Sequence, residues 1–253
     1  MEISVRQFIF LLILSIFLTE PIFADMDDFF FTPQRRRLMF VEDYYKLYRK
    51  NLYGDTAAYL ANIYYLGLAL KAAKRGMWDH PVRSNAYVRY DWGDQPYDEK
   101  QHAKYKEIMK MRIHLLLTKC YLQLGARYDK ENIYWFNKEY YVALKKSFNI
   151  AETLYKHGYQ HWKETKKYVK ICWDQRHIDL KGPQMDQMED EVYKIYHMAD
   201  ERYKRDVKDY YNKKNYPEYN YDKIIPEKIA SLNHKRKKLD YYLTRFQKDE
   251  SKK

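Results

Sequence analysis

The segments DEKQHAKYKEIMKMRIHLLLTKCYLQLG (Asp98–Gly125) and ENIYWFNKEYYVALKKSFNIAETLYKHG (Glu131–Gly158) decide the fold of this chain. In the first, Tyr105, Met109, Ile113, Leu116, Leu117, Cys120 and Leu124 are expected on one side of a helix. In the second, Tyr141, Leu144, Phe148, Ala151 and Tyr155 alternate steps of three and four, the spacing of a coiled-coil seam. Each segment closes on a glycine, which suits the left-handed residue that ends a helix. Two long helices, about Asp98 to Leu124 and Glu131 to His157, are therefore expected as an antiparallel hairpin.

The same periodicity extends in both directions, and strand alternation with glycine-containing hairpin turns is missing, so the fold class is all-α. Upstream, helices are expected from Phe40 to Tyr53 and from Thr56 to Arg75. The latter carries alanine and aliphatic residues on nearly every face and should be the most buried element. Downstream, Tyr159 to Trp173 reads as a shorter helix, Met185 to Lys213 as a long one with a densely charged outer face, and Pro226 as the start of the last. Helices of this length imply an elongated array.

One helical domain, 40–248, is thus expected, with a long loop at 77–97 and breaks at 125–130, 174–184 and 214–226. An N-terminal arm (25–39) precedes it and a frayed tail (249–253) follows. The loop holds two prolines with Trp78, Tyr87, Tyr90, Trp92 and Tyr97. Those rings either pack back on the helices as a lid or form a contact surface.

Residues 1–24 read as a cleavable signal peptide: Arg6, an apolar run from Phe8 to Leu18 broken by Ser15, then Pro21 to Ala24. The run is well short of the ~20 apolar residues that span a bilayer, so no stable membrane insertion is expected after its removal. An exported protein is implied. The chain is basic, with 47 Lys+Arg against 35 Asp+Glu and a net charge of +12. Export separates it from nucleic acid and leaves acidic proteins, wall polymers or lipid head groups as counterparts. Arg35, Arg36 and Arg37 could root a binding arm. The block His234-Lys235-Arg236-Lys237-Lys238 reads as a solvated helix face, with Lys235, Arg236, Lys237 and Lys238 as interface candidates.

No catalytic constellation emerges. The seven glycines stand singly, which excludes a phosphate-binding loop, and no cofactor is expected. His157 and His161 are four apart but lack the acid of a zinc-protease motif, and Gly158 between them argues for helix-end histidines rather than metal ligands. Cys172-Trp173-Asp174-Gln175-Arg176-His177 offers a thiol, an acid and an imidazole with no family signature around them. Cys120 and Cys172 could pair in an oxidising compartment or remain buried thiols. With 29 tyrosines spread along the chain, large amphipathic rings are available for wet interfaces. Binding or assembly, without enzymatic activity, is the expected role.

Leu60-Ala61-Asn62-Ile63-Tyr64-Tyr65-Leu66-Gly67 and Leu117 to Gly125 resemble the first helix of a tetratricopeptide repeat, although their glycines are not spaced by that repeat. This resemblance implies helical hairpins and, as an alternative role, a periplasmic scaffold for protein or peptide partners. The whole mature chain resembles the flagellar coiling proteins of spirochaetes. That resemblance rests on the N-terminal signal with Asp25-Met26-Asp27-Asp28, on Tyr44-Tyr45-Lys46-Leu47-Tyr48-Arg49-Lys50, and on the tyrosine–lysine helices near Tyr140-Tyr141, Tyr193 to Tyr196 and Tyr241-Tyr242. It implies a structural component of a periplasmic flagellar filament sheath. Such a protein would bind the filament core and companion sheath proteins in a lattice or oligomer and stabilise the curvature needed for motility.

Overall fold

A computed structural model describes residues 39–48, 56–78, 98–129, 140–180, 183–199 and 219–250. Every regular element among them is a helix: α1 (Val41–Lys46), α2 (Thr56–Lys74), α3 (Glu99–Tyr128), α4 (Tyr140–Asp174), α5 (Pro183–Ala199) and α6 (Tyr221–Glu250). The fold is all-α, and the helices belong to one compact unit, Phe40–Lys253.

The α3–α4 pairing is the most extensive between any two elements. It is antiparallel, since Thr118 meets Gly158 while Gln101 Nε2 donates to Asp179 O at 2.9 Å. On α4 the buried residues Phe148, Ala151, Tyr155, Gly158, Trp162, Thr165, Val169 and Cys172 alternate steps of three and four along the helix. On α3 the matching seam is Ile108, Met111, Leu115, Thr118, Leu122 and Gly125. This is the knobs-into-holes spacing of a coiled coil.

Two expected helix ends are overturned here. Gly125 does not end α3, which continues to Tyr128, and Gly158 does not separate two helices, because α4 runs through it for 35 residues. Both glycines are close-approach positions. A Cβ on Gly125 would lie 2.5 Å from the ring of Tyr155, and one on Gly158 would lie 3.3 Å from Tyr121 Cβ. The missing side chains let the helices touch.

The stripe Ile113, Leu116, Leu117 and Cys120 faces the other way, packing with Leu66, Ala69 and Ala72 of α2 and Val41 of α1. So α3, buried on two sides, is the most enclosed helix, and α2 is not. On the outer face of α2, Leu60 and Tyr64 are 53% and 49% exposed. Apolar residues lie on nearly every face of α2, but the helix buries one side only.

Local chemistry sets the ends. Asp98 Oδ1 accepts from Gln101 N at 2.7 Å and Gln101 Oε1 accepts from Asp98 N at 3.1 Å, a capping box that starts α3. Gly76, with φ of 69°, closes α2: Met77 N donates to Ala72 O and Gly76 N to Ala73 O, the paired bonds of a Schellman end. Met77 O then accepts from Val41 N at 3.1 Å, fixing α1 to the end of α2. α1 is shorter than expected and ends at Lys46. α6 begins at Tyr221, so Pro226 lies inside it rather than at its start. Residues 200–213, where α5 was expected to continue, lie outside the described residues.

The two glycine classes should separate on mutation. Gly67 has nothing within 4 Å of a built Cβ, so Gly67→Ala should raise stability by about 0.5–1 kcal/mol through helix propensity. Gly125→Ala should lower it by about 1–3 kcal/mol, because the Tyr155 ring is fully buried and cannot retreat. Urea unfolding of the two variants checks both; equal shifts would contradict the close-approach reading.

Candidate functional site

The helices are joined at three places by polar side chains as well as by apolar contact. At the first, α3 presents Lys104, Tyr105 and Arg112 to α5 and α1. Lys104 Nζ pairs with Glu189 and donates to Ile178 O at 2.5 Å. Arg112 pairs with Glu191, which is buried, and Tyr105 OH donates to Glu42 Oε1 at 3.0 Å. Burial opposes the Arg112 charge, but Glu191 and Tyr45 outweigh it and hold the guanidinium pKa above its ordinary value. Such pairs are costly to break singly, at about 3–5 kcal/mol, since the survivor stays buried.

The second lies at the C-terminal end of α3. Asp129 accepts from Tyr155 OH at 3.1 Å and from Lys235 Nζ at 2.5 Å. One turn along, Arg236 pairs with Glu152 at 2.5 Å and donates to Phe148 O at 3.1 Å. The basic block is therefore divided. Lys235 and Arg236 fasten α6 to α3 and α4 and are half-buried, whereas His234, Lys237 and Lys238 are exposed.

The third is a stack of rings along one edge of the α3–α4 seam. Tyr168, His114, His161, Tyr121 and His157 follow one another with centroid spacings of 5.7, 5.2, 5.5 and 5.6 Å. The Nδ1 atoms of His114 and His161 are 3.0 Å apart. His157 and His161 are thus mid-helix residues rather than helix-end ones, and the Tyr121 ring stacks on His161 and lies tilted against His157. Burial, with help from the neighbouring imidazole and from Lys74 and Lys167, pushes the His114 pKa down to about 3. Burial and His157 push His161 down to about 4, against Glu164.

The other sequence candidates fall differently. Trp78 is half-buried, stands edge-on to Tyr105 at 6.2 Å and packs against both core clusters, so this ring belongs to the core margin. Tyr87, Tyr90, Trp92, Tyr97, Arg35, Arg36 and Arg37 lie outside the described residues. Cys120 and Cys172 are free, buried and in separate core clusters. Burial pushes their thiols up to about 11 and about 12, away from the reactive thiolate. Cys172 faces the core while Asp174 and His177 are exposed, so that trio is not assembled. Among the described residues no helix is long and apolar enough to cross a membrane.

One surface was missed by sequence reasoning. From Thr56 to Leu70 the α2 sequence TAAYLANIYYLGLAL has no charged residue, on a chain of net +12. Its outer face carries Ala57, Leu60, Ala61 and Tyr64, with exposed Lys71 and Lys74 at one end. The charge gap was visible in the sequence, but its exposure was not.

The depressed imidazoles give a pH prediction. Their folded values lie below the 6.5 of a solvated histidine, so the unfolded chain takes up protons first as pH falls. Their contribution is complete above about pH 6.5 and is lost progressively toward about pH 4 for His161 and about pH 3 for His114. Glu152, held below the usual carboxylate range by its hydrogen bonds to Lys156 and Arg236, enters only in more acid solution. The urea midpoint should fall between pH 7 and pH 5 in metal-free buffer, and fall less in a His114→Gln, His161→Gln double variant. A flat profile in the parent protein would overturn the assignment.

No curated protein and no solved structure matches the chain. A family model, described as a domain of unknown function (DUF8513), matches residues 100–242. The match opens in the first turn of α3 and closes within α6, taking in the close-packed seam, the ring stack and both sets of ion pairs. It covers more than half of the sequence, and the chain belongs to the DUF8513 family.

Proposed function

We propose that this chain is a non-catalytic assembly protein that docks on protein partners through the outer face of α2, and that its setting is the sheath of a periplasmic flagellar filament. The observation that carries the docking role is the uncharged, apolar outer face of α2 on a basic molecule. Leu60 and Tyr64 stand one turn apart on it and keep about half of their surface in water. Interface centres are depleted of charge, their rims are polar, and tyrosine is enriched where binding energy concentrates. Lys71 and Lys74 supply such a rim. The filament setting is supported by the resemblance in the signal-like N-terminus and the tyrosine–lysine helices. The buried ion pairs and the close-packed seam suit a protein that transmits load without rearranging.

Two measurements test this. Purified flagella from the native organism should contain the protein; finding it only in soluble periplasm would remove the sheath setting. Leu60→Asp, at an exposed site, should change stability by no more than about 0.5 kcal/mol. The same variant should lose at least ~10-fold in affinity for the purified filament. Unchanged affinity in a folded Leu60→Asp protein would remove the α2 surface from the proposal.

A further inference from the structure

The α3–α4 seam is apolar along most of its length, but at one edge two imidazoles replace apolar contact. His114 and His161 are both half-buried, come from different helices, and direct Nδ1 toward Nδ1 at 3.0 Å. With neutral rings, one Nδ1–H donates and the other Nδ1 accepts. Tyr168 stacks on the outer face of His114 and Tyr121 on that of His161, so each ring is held in place from behind.

We propose that His114 and His161 form a binding site for a divalent transition-metal ion of the copper(II) type, with the two Nδ1 atoms as cis ligands and water in the remaining positions. The spacing selects the geometry. Metal–imidazole bonds of about 2.0–2.1 Å place two nitrogens about 2.8–3.0 Å apart at a right angle, and about 3.3 Å apart in a tetrahedron. The observed 3.0 Å fits the right angle, which is the tetragonal arrangement of copper(II) and nickel(II). Between these two, the ordinary order of stability favours copper.

The exchange balances without an outside reagent. The ring that donates through Nδ1 moves its proton to Nε2, the two Nδ1 lone pairs converge on the ion by a small tilt within their tyrosine stacks with the 3.0 Å spacing kept, and no net proton is released. The surrounding charge is mixed, with Lys74 and Lys167 opposing a cation near His114 and Glu164 favouring one near His161. His157 packs on Tyr121 at 5.6 Å and, when charged, opposes a cation beside His161.

The test is titration of the full, metal-free chain with copper(II), followed by calorimetry and electron paramagnetic resonance. One equivalent should bind most tightly, with hyperfine structure from two nitrogens. His114→Gln and His161→Gln should each weaken that site at least ~10-fold. His157→Gln and His234→Gln should each leave it within about threefold, since neither removes a ligand. A parent spectrum showing one nitrogen or none would overturn the proposal even if a variant failed to fold. So would parent-like affinity in a folded His114→Gln or His161→Gln protein, or loss of the site on His157→Gln.

Discussion

The close approach of α3 and α4 is the constraint on which the other contacts depend. Gly158 lets Thr118 Oγ1 reach its carbonyl oxygen at 3.4 Å, and Gly125 makes room for the fully buried ring of Tyr155. A side chain at either position would move the helices apart or displace that ring. The Tyr155 hydroxyl would then leave Asp129, the anchor for Lys235 on α6. At the other end, Lys104 reaches Ile178 O just beyond α4 and Glu189 on α5. Two small residues therefore govern the placing of three larger elements.

The polar contacts divide the work with the apolar ones. The cores around α3 supply the non-directional attraction, which tolerates sliding and rotation. Buried charges and hydroxyls are less tolerant, because an unpaired partner keeps its desolvation cost. Arg112 with Glu191, Tyr105 with Glu42 and Asp129 with Lys235 each punish a shift in register. Tyrosine serves on both sides of this division. Tyr105 and Tyr155 bury their rings completely while their hydroxyls find carboxylates, whereas Tyr64 and Tyr241 remain outside.

Much of the helical framework was legible in the sequence, because it rests on local chemistry. The Asp98–Gln101 capping box and the three–four stripe from Tyr141 to Tyr155 can be read within a few residues of themselves. The misreadings came from applying local rules where distant contacts decide. Gly125 and Gly158 carry the local signature of a helix stop, although the stripe continues in register through Gly158 to Trp162, Thr165 and Val169. That unbroken spacing was the available signal for one helix. Pro226 carries the local signature of a helix start, yet it lies inside α6, whose first turns are held by Tyr221 and Ile225 buried against the core. The His114–His161 pair joins residues far apart in sequence, and no local pattern marks it.

The Asp129–Lys235 contact closes a loop of 106 residues. Such a closure restricts the chain over a longer span than the pairing of α3 with α4 does, at an entropy cost that grows with the logarithm of loop length. Until Lys235 arrives, the α3–α4 hairpin holds Asp129 with Tyr155 alone, and the α4 surface that receives Ile225, Leu232 and Leu239 stays uncovered. α6 thus acts as a latch over that surface. A chain in which it is undocked exposes this apolar strip to proteolysis and to mispairing with another copy.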